Sequence, residues 1–224
     1  MAKSFVYFRN LIVGDRDMKS RDQAMADITG ILLILCVAVS CATVPELKVH
    51  YLLPITSDEL KGKSVFLAFM DDREKKDIMG EGAKQRFGSF AGNVTLFLNK
   101  GTKGKGIPLG LFDVRSLFME VFNRRLESLG ISVVPEKEMA QLDLVIILKE
   151  FRLDLINKKW VARMAYEARL ESSGKMLKNQ IIRGDAERLR IVGNSQAETV
   201  MSEIFTDIIN RLDIGSLFRY ESTE

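Results

Sequence analysis

Alternating strand patterns in the second half of the chain constrain its fold more than any other feature. Leu142 to Leu155 begins as an apolar run and ends in alternation. Trp160 to Leu170 alternates throughout, with apolar side chains on one face and Arg163, Glu167 and Arg169 on the other. A period of two is typical of a strand that has one buried face and one solvated face.

A third strand pattern follows directly after a turn. Ser172-Ser173-Gly174 reverses the chain into Met176 to Leu189, so the three strands are predicted to form an antiparallel meander. Trp160 and Tyr166 lie on the apolar face of this meander and are expected in the core. The charged side chains of the opposite face are expected to form cross-strand pairs on a solvated surface.

Two amphipathic helices complete the strongest patterns. Asp113 and Ser195 are the predicted start signals, and Ser195 with Glu198 reads as a capping box. Gly130 follows the first helix as a stop signal. The apolar faces are Leu111, Val114, Leu117, Phe118, Val121, Phe122, Leu126 and Leu129 in the first helix, and Ala197, Val200, Met201, Ile204, Phe205, Ile208, Ile209 and Leu212 in the second.

Three further apolar runs read as strands, at Leu47 to Leu53, Ser64 to Met70 and Ile131 to Val134. With the meander and the two helices they predict an α+β fold. We expect a two-layer sandwich in which both amphipathic helices cover one face of a mostly antiparallel sheet. Residues 47–219 are expected to form this single domain.

Residues 80–110 differ from the rest, because they hold eight of the sixteen glycines. Val94 to Leu98 is predicted as one strand of a flexible hairpin and the remainder as loop, since glycine makes regular structure entropically costly. The basic side chains of this region are a candidate surface for an anionic partner; the alternative is a solvated loop that charge keeps soluble. They are Lys84, Arg86, Lys100, Lys103 and Lys105.

Ile31 to Ala42, with the sequence ILLILCVAVSCA, indicates where the protein is located. The apolar run is too short to cross a bilayer, which takes about 20 residues, and it suits the core of a secretory signal. Cys41 follows small residues, as in bacterial lipoproteins, whose cysteine is diacylated before cleavage. Residues 1–40 are therefore predicted to be a signal peptide, with Met18 as an alternative start. A plain secretory signal cut near Ser40 and a buried N-terminal helix are the alternatives.

The predicted cut at Cys41 has consequences for the mature chain. Cys36 leaves with the signal, and Cys41 is expected to carry a diacylglycerol and an N-acyl chain as its only modification, with no other cofactor. Residues 41–46 form a short lipidated tether that keeps the domain close to the membrane. Ala42 is not the aspartate that retains many enterobacterial lipoproteins, which favours the outer membrane.

Composition argues against several classes of function. Residues 1–40 hold five of the 33 Lys/Arg and four of the 30 Asp/Glu, which leaves a nearly neutral domain and argues against nucleic-acid binding. His50 is the single histidine, so histidine-based zinc sites and nucleophile pairs are not expected. Gly101 to Gly106 lacks the Lys-Ser/Thr pair of a phosphate-binding loop. Asp71 and Asp72 are expected to form a turn paired with Arg73 rather than an acid/base pair.

The chain resembles the YajG-type lipoproteins of Gram-negative envelopes. The resemblance is carried by DVRSLFMEVFNRRLESLGISVVPE, LDLVIILKEFRLDL, the strands around VARMAYEARLESSGKMLKNQ and the closing helix QAETVMSEIFTDIINRLD, together with the Cys41 signal. It implies a periplasmic domain anchored to the outer membrane, and no reaction.

These observations predict a lipid-anchored, non-enzymatic envelope protein that binds a protein or glycolipid partner and has no metal site. The meander's polar face and the basic hairpin are the expected surfaces. An accessory lipoprotein subunit of lipid or lipopolysaccharide transport is the alternative, by analogy of fold. An enzyme acting on cell-wall glycans would need a convergent pair of carboxylates, and the sequence identifies none.

Overall fold

A computed structural model describes residues 46–88, 90–100, 106–191, 193 and 195–219. Its strands are β1 Leu47–Leu53, β2 Ser64–Asp71, β3 Val94–Lys100, β4 Ile107–Phe112, β5 Ser132–Val134, β6 Leu142–Ile156, β7 Lys159–Ser172 and β8 Lys175–Leu189. Its helices are α1 Glu81–Phe87, α2 Val114–Glu127, α3 Ser195–Asn210 and α4 Ile214–Phe218, and Lys137–Met139 forms a 3₁₀ turn.

The strands form two sheets, which confirms the α+β class but not the single sheet that the sequence predicts. One sheet has the order β5-β2-β6-β7-β8, and the other has the order β1-β3-β4. The longest pairings, β6 with β7 and β7 with β8, are antiparallel. β1 pairs with β3 in parallel, and β2 pairs in parallel with β5 and β6. Apolar residues of both sheets contribute to one continuous core.

The predicted meander is confirmed from β6 to β8. Trp160 and Tyr166 are fully buried, as the alternation predicts. Ser173 and Gly174 form the turn between β7 and β8 with φ of 49° and 78°, the left-handed conformation that suits a tight hairpin. The Tyr166 hydroxyl donates to the Ile208 backbone oxygen at 3.1 Å, which joins the meander to α3.

The two predicted amphipathic helices are also confirmed. Asp113 caps α2, because its carboxylate accepts from the Ser116 backbone N–H at 2.7 Å. Leu111 lies in β4 and is 61% exposed, so its place on the predicted helical face was wrong. The Phe118 ring of α2 lies 5.3 Å from the Phe151 ring of β6 and 5.7 Å from the Phe205 ring of α3, and these contacts join the helices to the meander.

A short helix within the glycine-rich region was not predicted. α1 forms where the sequence predicts loop, because the Asp154 carboxylate of β6 accepts from the Gly82 N–H at 3.0 Å and from the Ala83 N–H at 3.3 Å. Gly80 and Gly82 allow β6 to lie this close to the start of α1, because neither has a side chain. A Cβ on Gly80 would lie 2.0 Å from the Asp154 carboxyl carbon, and one on Gly82 would lie 2.1 Å from the Leu155 backbone oxygen. The predicted hairpin is confirmed as β3 and β4.

Candidate binding groove

A polar stripe on α3 faces one edge of the three-stranded sheet. β1 is the edge strand of that sheet, so one side of its backbone has no strand partner. An unpaired edge is a site for unwanted strand association. In this protein α3 runs along the free edge of β1 and covers it with side chains spaced four residues apart. They are Glu198, Ser202, Thr206 and Asn210.

The hydroxyl and amide groups of this stripe replace the hydrogen bonds that a neighbouring strand would make. Ser202 Oγ accepts from the His50 backbone N–H at 2.9 Å. Thr206 Oγ1 accepts from the Leu52 N–H at 3.1 Å and donates to the His50 backbone oxygen at 3.2 Å. Asn210 Nδ2 donates to the Leu52 backbone oxygen at 2.9 Å. One helix face therefore satisfies four backbone groups of a strand.

Glu198 continues the same pattern one turn earlier on α3. Its carboxylate accepts a hydrogen bond from the Lys48 backbone N–H, whereas the predicted capping box requires it to bond to the start of its own helix. Partial burial raises the pKa of Glu198, because removal from water disfavours the charged carboxylate. The nearby Lys48 charge acts in the opposite direction.

An open groove of about 790 Å³ lies along this junction between β1 and α3. Leu52 is its one aliphatic lining residue, although much of the wall consists of the carbon atoms of polar side chains. Apolar wall area with a few convergent polar groups is typical of a ligand site. The lining residues are His50, Leu52, Asn99, Ser195, Glu198, Thr199, Ser202, Glu203, Thr206, Asp207 and Asn210.

An aromatic pair lies at the sheet side of the groove. The His50 ring stacks on Phe97 of β3 with 4.8 Å between ring centroids and an interplanar angle of 19°. His50 Nδ1 lies 3.3 Å from the Asn99 amide oxygen. These contacts engage the ring with an aromatic and an amide side chain rather than with a nucleophile. The histidine is an exposed residue that borders the groove.

Carboxylates on the outer side of α3 are paired with arginines. Glu203 accepts a bidentate interaction from Arg188, with one contact at 3.0 Å, and this contact raises the pKa of Arg188. Asp207 pairs with Arg211, the residue directly after α3. The negative charges of this wall of the groove are therefore largely balanced by arginines, and a ligand would contact ion pairs rather than unpaired carboxylates.

The predicted basic surface lies on separate elements where the structure describes it. Lys84 is on α1 and pairs with Asp77 at 2.7 Å and with Glu81 at 3.4 Å, which raises the pKa of its ammonium group. Arg86 is an exposed residue of α1, and Lys100 is the last residue of β3. Arg86 comes before β3 begins, whereas Lys100 is at the end of β3, which is about 20 Å long.

Lys103 and Lys105 lie outside the described residues, as does the predicted lipidation site Cys41. Anion binding by this basic region therefore stays a prediction.

The aspartate turn after β2 is confirmed. Arg73 donates to both carboxylate oxygens of Asp71 at 2.9 Å, and these bonds lower the pKa of Asp71 to about 2. The ion pair closes the end of β2, with Arg73 5% exposed and the Asp71 side chain 31% exposed. Asp72 turns away and pairs with Lys149 at 2.6 Å. The two carboxylates do not converge on one site.

The outer face of the meander carries charged pairs. Arg169 binds Glu167 bidentately at 2.6 and 2.9 Å, and Asn179 of β8 donates to the same carboxylate at 3.2 Å. Hydrogen bonding from Arg169 lowers the pKa of Glu167. Arg169 and Glu167 both belong to β7, and Glu167 is only 8% exposed, so the predicted cross-strand pairing on a solvated surface is wrong for this carboxylate. Its partner across the strands is the Asn179 amide.

In the part of the chain that the structure describes, no group of three or more metal-ligating side chains converges. Among the same residues, no helix is both long enough and apolar enough to span a bilayer.

Comparison with known proteins identifies no family model and no curated protein that matches this chain. Some solved structures are similar in part. A Xanthomonas campestris protein of the DUF330 family has a TM-score of 0.48 and 9% identity over 76% of this chain and 94% of its own. The lipoprotein GNA1162 from Neisseria meningitidis has a TM-score of 0.34 and 11% identity over 66% of this chain and 99% of its own.

A Helicobacter pylori protein, described as a homologue of a neuraminyllactose-binding hemagglutinin, has a TM-score of 0.39 and 13% identity. That alignment covers 69% of this chain and 86% of the other. Likeness at this level carries no conclusion about this chain's activity. The resemblance to YajG-type lipoproteins stays a prediction from the sequence.

Proposed function

We propose that this protein is a lipid-anchored envelope protein that binds a partner without catalysing a reaction. The observation that carries the proposal is the groove of about 790 Å³ between β1 and α3, which has a built polar wall. The Cys41 signal supplies the proposed anchor. We place the domain on the periplasmic side of the envelope, at the outer membrane.

The groove favours recognition over chemistry. Its single histidine ring stacks on Phe97, and its carboxylates at positions 203 and 207 are held by arginines. Ser202 and Thr206 are committed to the backbone of β1. A hydrolytic site needs a nucleophile or a water-activating base free to act. The polar groups of this groove are instead fixed in place, as suits a binding surface.

The chemistry of the wall also indicates the class of partner. The His50 ring and the Leu52 side chain offer carbon surface, while hydroxyl and amide groups offer hydrogen bonds. Such a mixture fits a peptide segment or the sugar headgroup of a glycolipid. An acyl chain would be less well matched, because it cannot satisfy polar groups that it covers.

Site-specific photocrosslinking from the full, lipidated chain tests the proposal. A photoreactive amino acid replaces Leu52, which is 40% exposed in the groove, or Ile181, which is 70% exposed on the outer face of the meander. We expect a discrete adduct from position 52 that is lost when Thr199→Trp fills the groove. An adduct only from position 181 would move the binding surface to the meander, and no adduct from either position would contradict stable partner binding.

The anchor needs its own test, because groove binding and lipidation can fail separately. Radiolabelled palmitate should label the full chain and should not label Cys41→Ala. Label that survives this substitution, or no label in the parent chain, would contradict the lipoprotein assignment while leaving the groove unaffected.

A further inference from the structure

Apolar and basic side chains lie together at one end of the five-stranded sheet. Ile156 of β6 pairs with Lys159 of β7, and Lys159 pairs with Leu189 of β8. Directly paired residues lie on the same face of a sheet. Leu189 is 66% exposed, and Ile191, two residues further on, is 72% exposed. Two large aliphatic side chains, Ile156 and Leu189, therefore meet water at the last rung of the sheet, and the Ile191 side chain follows just beyond it.

Two cations are interspersed with these aliphatic side chains. Lys158, in the turn between β6 and β7, accepts at its backbone oxygen from the Arg190 N–H at 2.9 Å, so both residues are at the same sheet end. Lys159 is neutralised by Glu187 at 2.5 Å. Within the described residues, the side chains of Lys158 and Arg190 have no carboxylate partner. We call Ile156, Lys158, Leu189, Arg190 and Ile191 the fringe.

The fringe lies at the end of the domain where β1 begins. β8 ends at Leu189, and α3 starts only four residues after Ile191, a span of at most about 14 Å. One turn into α3, Glu198 contacts the Lys48 backbone at the start of β1. α3 and β1 then run in the same direction, since later residues of the helix contact later residues of the strand.

The proposed anchor enters at the same end. Six residue steps separate Cys41 from Leu47, which allows at most about 22 Å between the acylated cysteine and the start of β1. A lipid held on so short a tether brings this end of the domain, rather than the opposite end, to the membrane surface.

We propose that the fringe docks on the anionic surface of the bilayer that holds the Cys41 lipid, which orients the domain. This inference rests on the proposed lipid anchor. The aliphatic side chains enter the interface between headgroups and acyl chains, and the two cations contact lipid phosphates. Aliphatic residues interspersed with Lys and Arg are the combination that membrane-surface segments use. The occupant is a lipid surface, because the tether confines the fringe to it.

Single-cysteine variants of the full, lipidated chain measure the docking. Acylation consumes the Cys41 thiol, so Ile191→Cys and Lys175→Cys each supply the one reactive thiol of the predicted mature chain. Lys175 starts β8 and is exposed, about 45 Å along the strand from Leu189, and it serves as the matched control. The measurement is the rate of reaction with a membrane-impermeant maleimide.

We expect position 191 to react more slowly in phosphatidylcholine vesicles that contain phosphatidylglycerol than in detergent micelles, with position 175 unchanged. Replacing both Lys158 and Arg190 with glutamine should raise the reaction rate at position 191 on these anionic vesicles by up to about thirty-fold. This factor is converted from about 1 kcal/mol for each cation near an anionic surface. Lys158 is an exposed turn residue and Arg190 is a partly exposed residue just after β8. Neither has an ion pair within the described residues, so the fold should be retained.

Three results would overturn the proposal. Equal rates at positions 191 and 175 on anionic vesicles would show that the fringe does not dock. Equal protection on vesicles of pure phosphatidylcholine would remove the anionic surface as the occupant. Protection in detergent that grows with protein concentration would assign the fringe to a second copy of the chain. Failure of the chain to float with vesicles after a high-salt wash would instead contradict the lipid anchor itself.

Discussion

Thr206 offers a direct test of how α3 protects the free edge of β1. Its hydroxyl is the only group of the stripe that bonds to two backbone atoms of the strand, the Leu52 N–H and the His50 oxygen. Thr206→Val removes this hydroxyl while it keeps the branched shape and a similar helix propensity. The substitution therefore isolates the two hydrogen bonds from packing.

The expected loss follows from the position of these bonds. A net hydrogen bond contributes about 0.5–1.5 kcal/mol to stability, and a buried group left without a partner costs more. Both bonds border an open groove, so water can reach the freed groups and limit the penalty. We expect the free energy of unfolding to fall by about 1–2 kcal/mol. At about 2 kcal/mol per molar in urea, the midpoint should fall by about 0.5–1 M.

Thr199→Val is the matched control. Thr199 lies on the same helix two turns earlier, and its hydroxyl donates only to the Ser195 backbone oxygen at 2.8 Å, within α3. We expect a loss below about 0.5 kcal/mol for this variant, as for a surface substitution. Urea unfolding followed by circular dichroism compares the two variants with the parent chain, at an unchanged slope.

Amide hydrogen exchange gives a second, local measurement. The Leu52 N–H should lose protection in Thr206→Val, whereas the Tyr51 N–H faces β3 and should keep it. Equal losses in the two valine variants, or a Thr206→Val midpoint unchanged from the parent, would refute the idea that the stripe stabilises β1.

Three further substitutions test the fold around the site. Asp71→Asn should lower stability at neutral pH by about 2 kcal/mol, because the pKa of Asp71 is lowered from 3.8 to about 2. The carboxylate stabilises the fold above pH 3.8, so the difference from the parent should vanish as the pH falls through about 2 in acid titrations; a constant difference would contradict it. Asp154→Ala should cost about 1 kcal/mol in urea unfolding by uncapping α1, and no loss would show that the cap is dispensable. Phe118→Ala should cost about 3–5 kcal/mol in the same assay, whereas Phe118→Leu should cost clearly less, since the aromatic cluster surrounds this ring.

Elements with a long uninterrupted period could be predicted from the sequence. The alternation around Trp160 and the helical repeat around Phe205 each extend over three or more periods, and each faces the core that it indicates. Such patterns report burial directly. The meander and both amphipathic helices follow from them.

α1 could not be predicted because the group that stabilises its start is remote in the sequence. Asp154 lies about seventy residues after Gly82, and only the folded chain brings the carboxylate to the helix. Gly82 lies inside α1, where glycine is unfavourable for a helix, and both Gly80 and Gly82 permit the close approach to β6. Tertiary contacts here override local propensity.

The groove was missed for a different reason. Side chains four apart on α3, such as Ser202 and Thr206, resemble an ordinary solvated helix face. One signal that could have distinguished them is that the stripe has almost no long charged side chains. The other is that the strand at Leu47–Leu53 has a strand partner on one side only. Sequence alone does not place β1 at a sheet edge, so the stripe could not be assigned to it.

The shared direction of β1 and α3 links the groove to the proposed membrane contact. The groove extends from Ser195, near the start of β1, to Asn210, beside Leu52 near its end. If the fringe holds the first of these ends at the bilayer, the Asn210 end points away from it. A periplasmic partner would then enter at the Asn210 end, and a glycolipid headgroup from the same leaflet would enter at the Ser195 end. Crosslinks obtained from position 52 but not from position 195 would therefore favour the protein partner over the glycolipid.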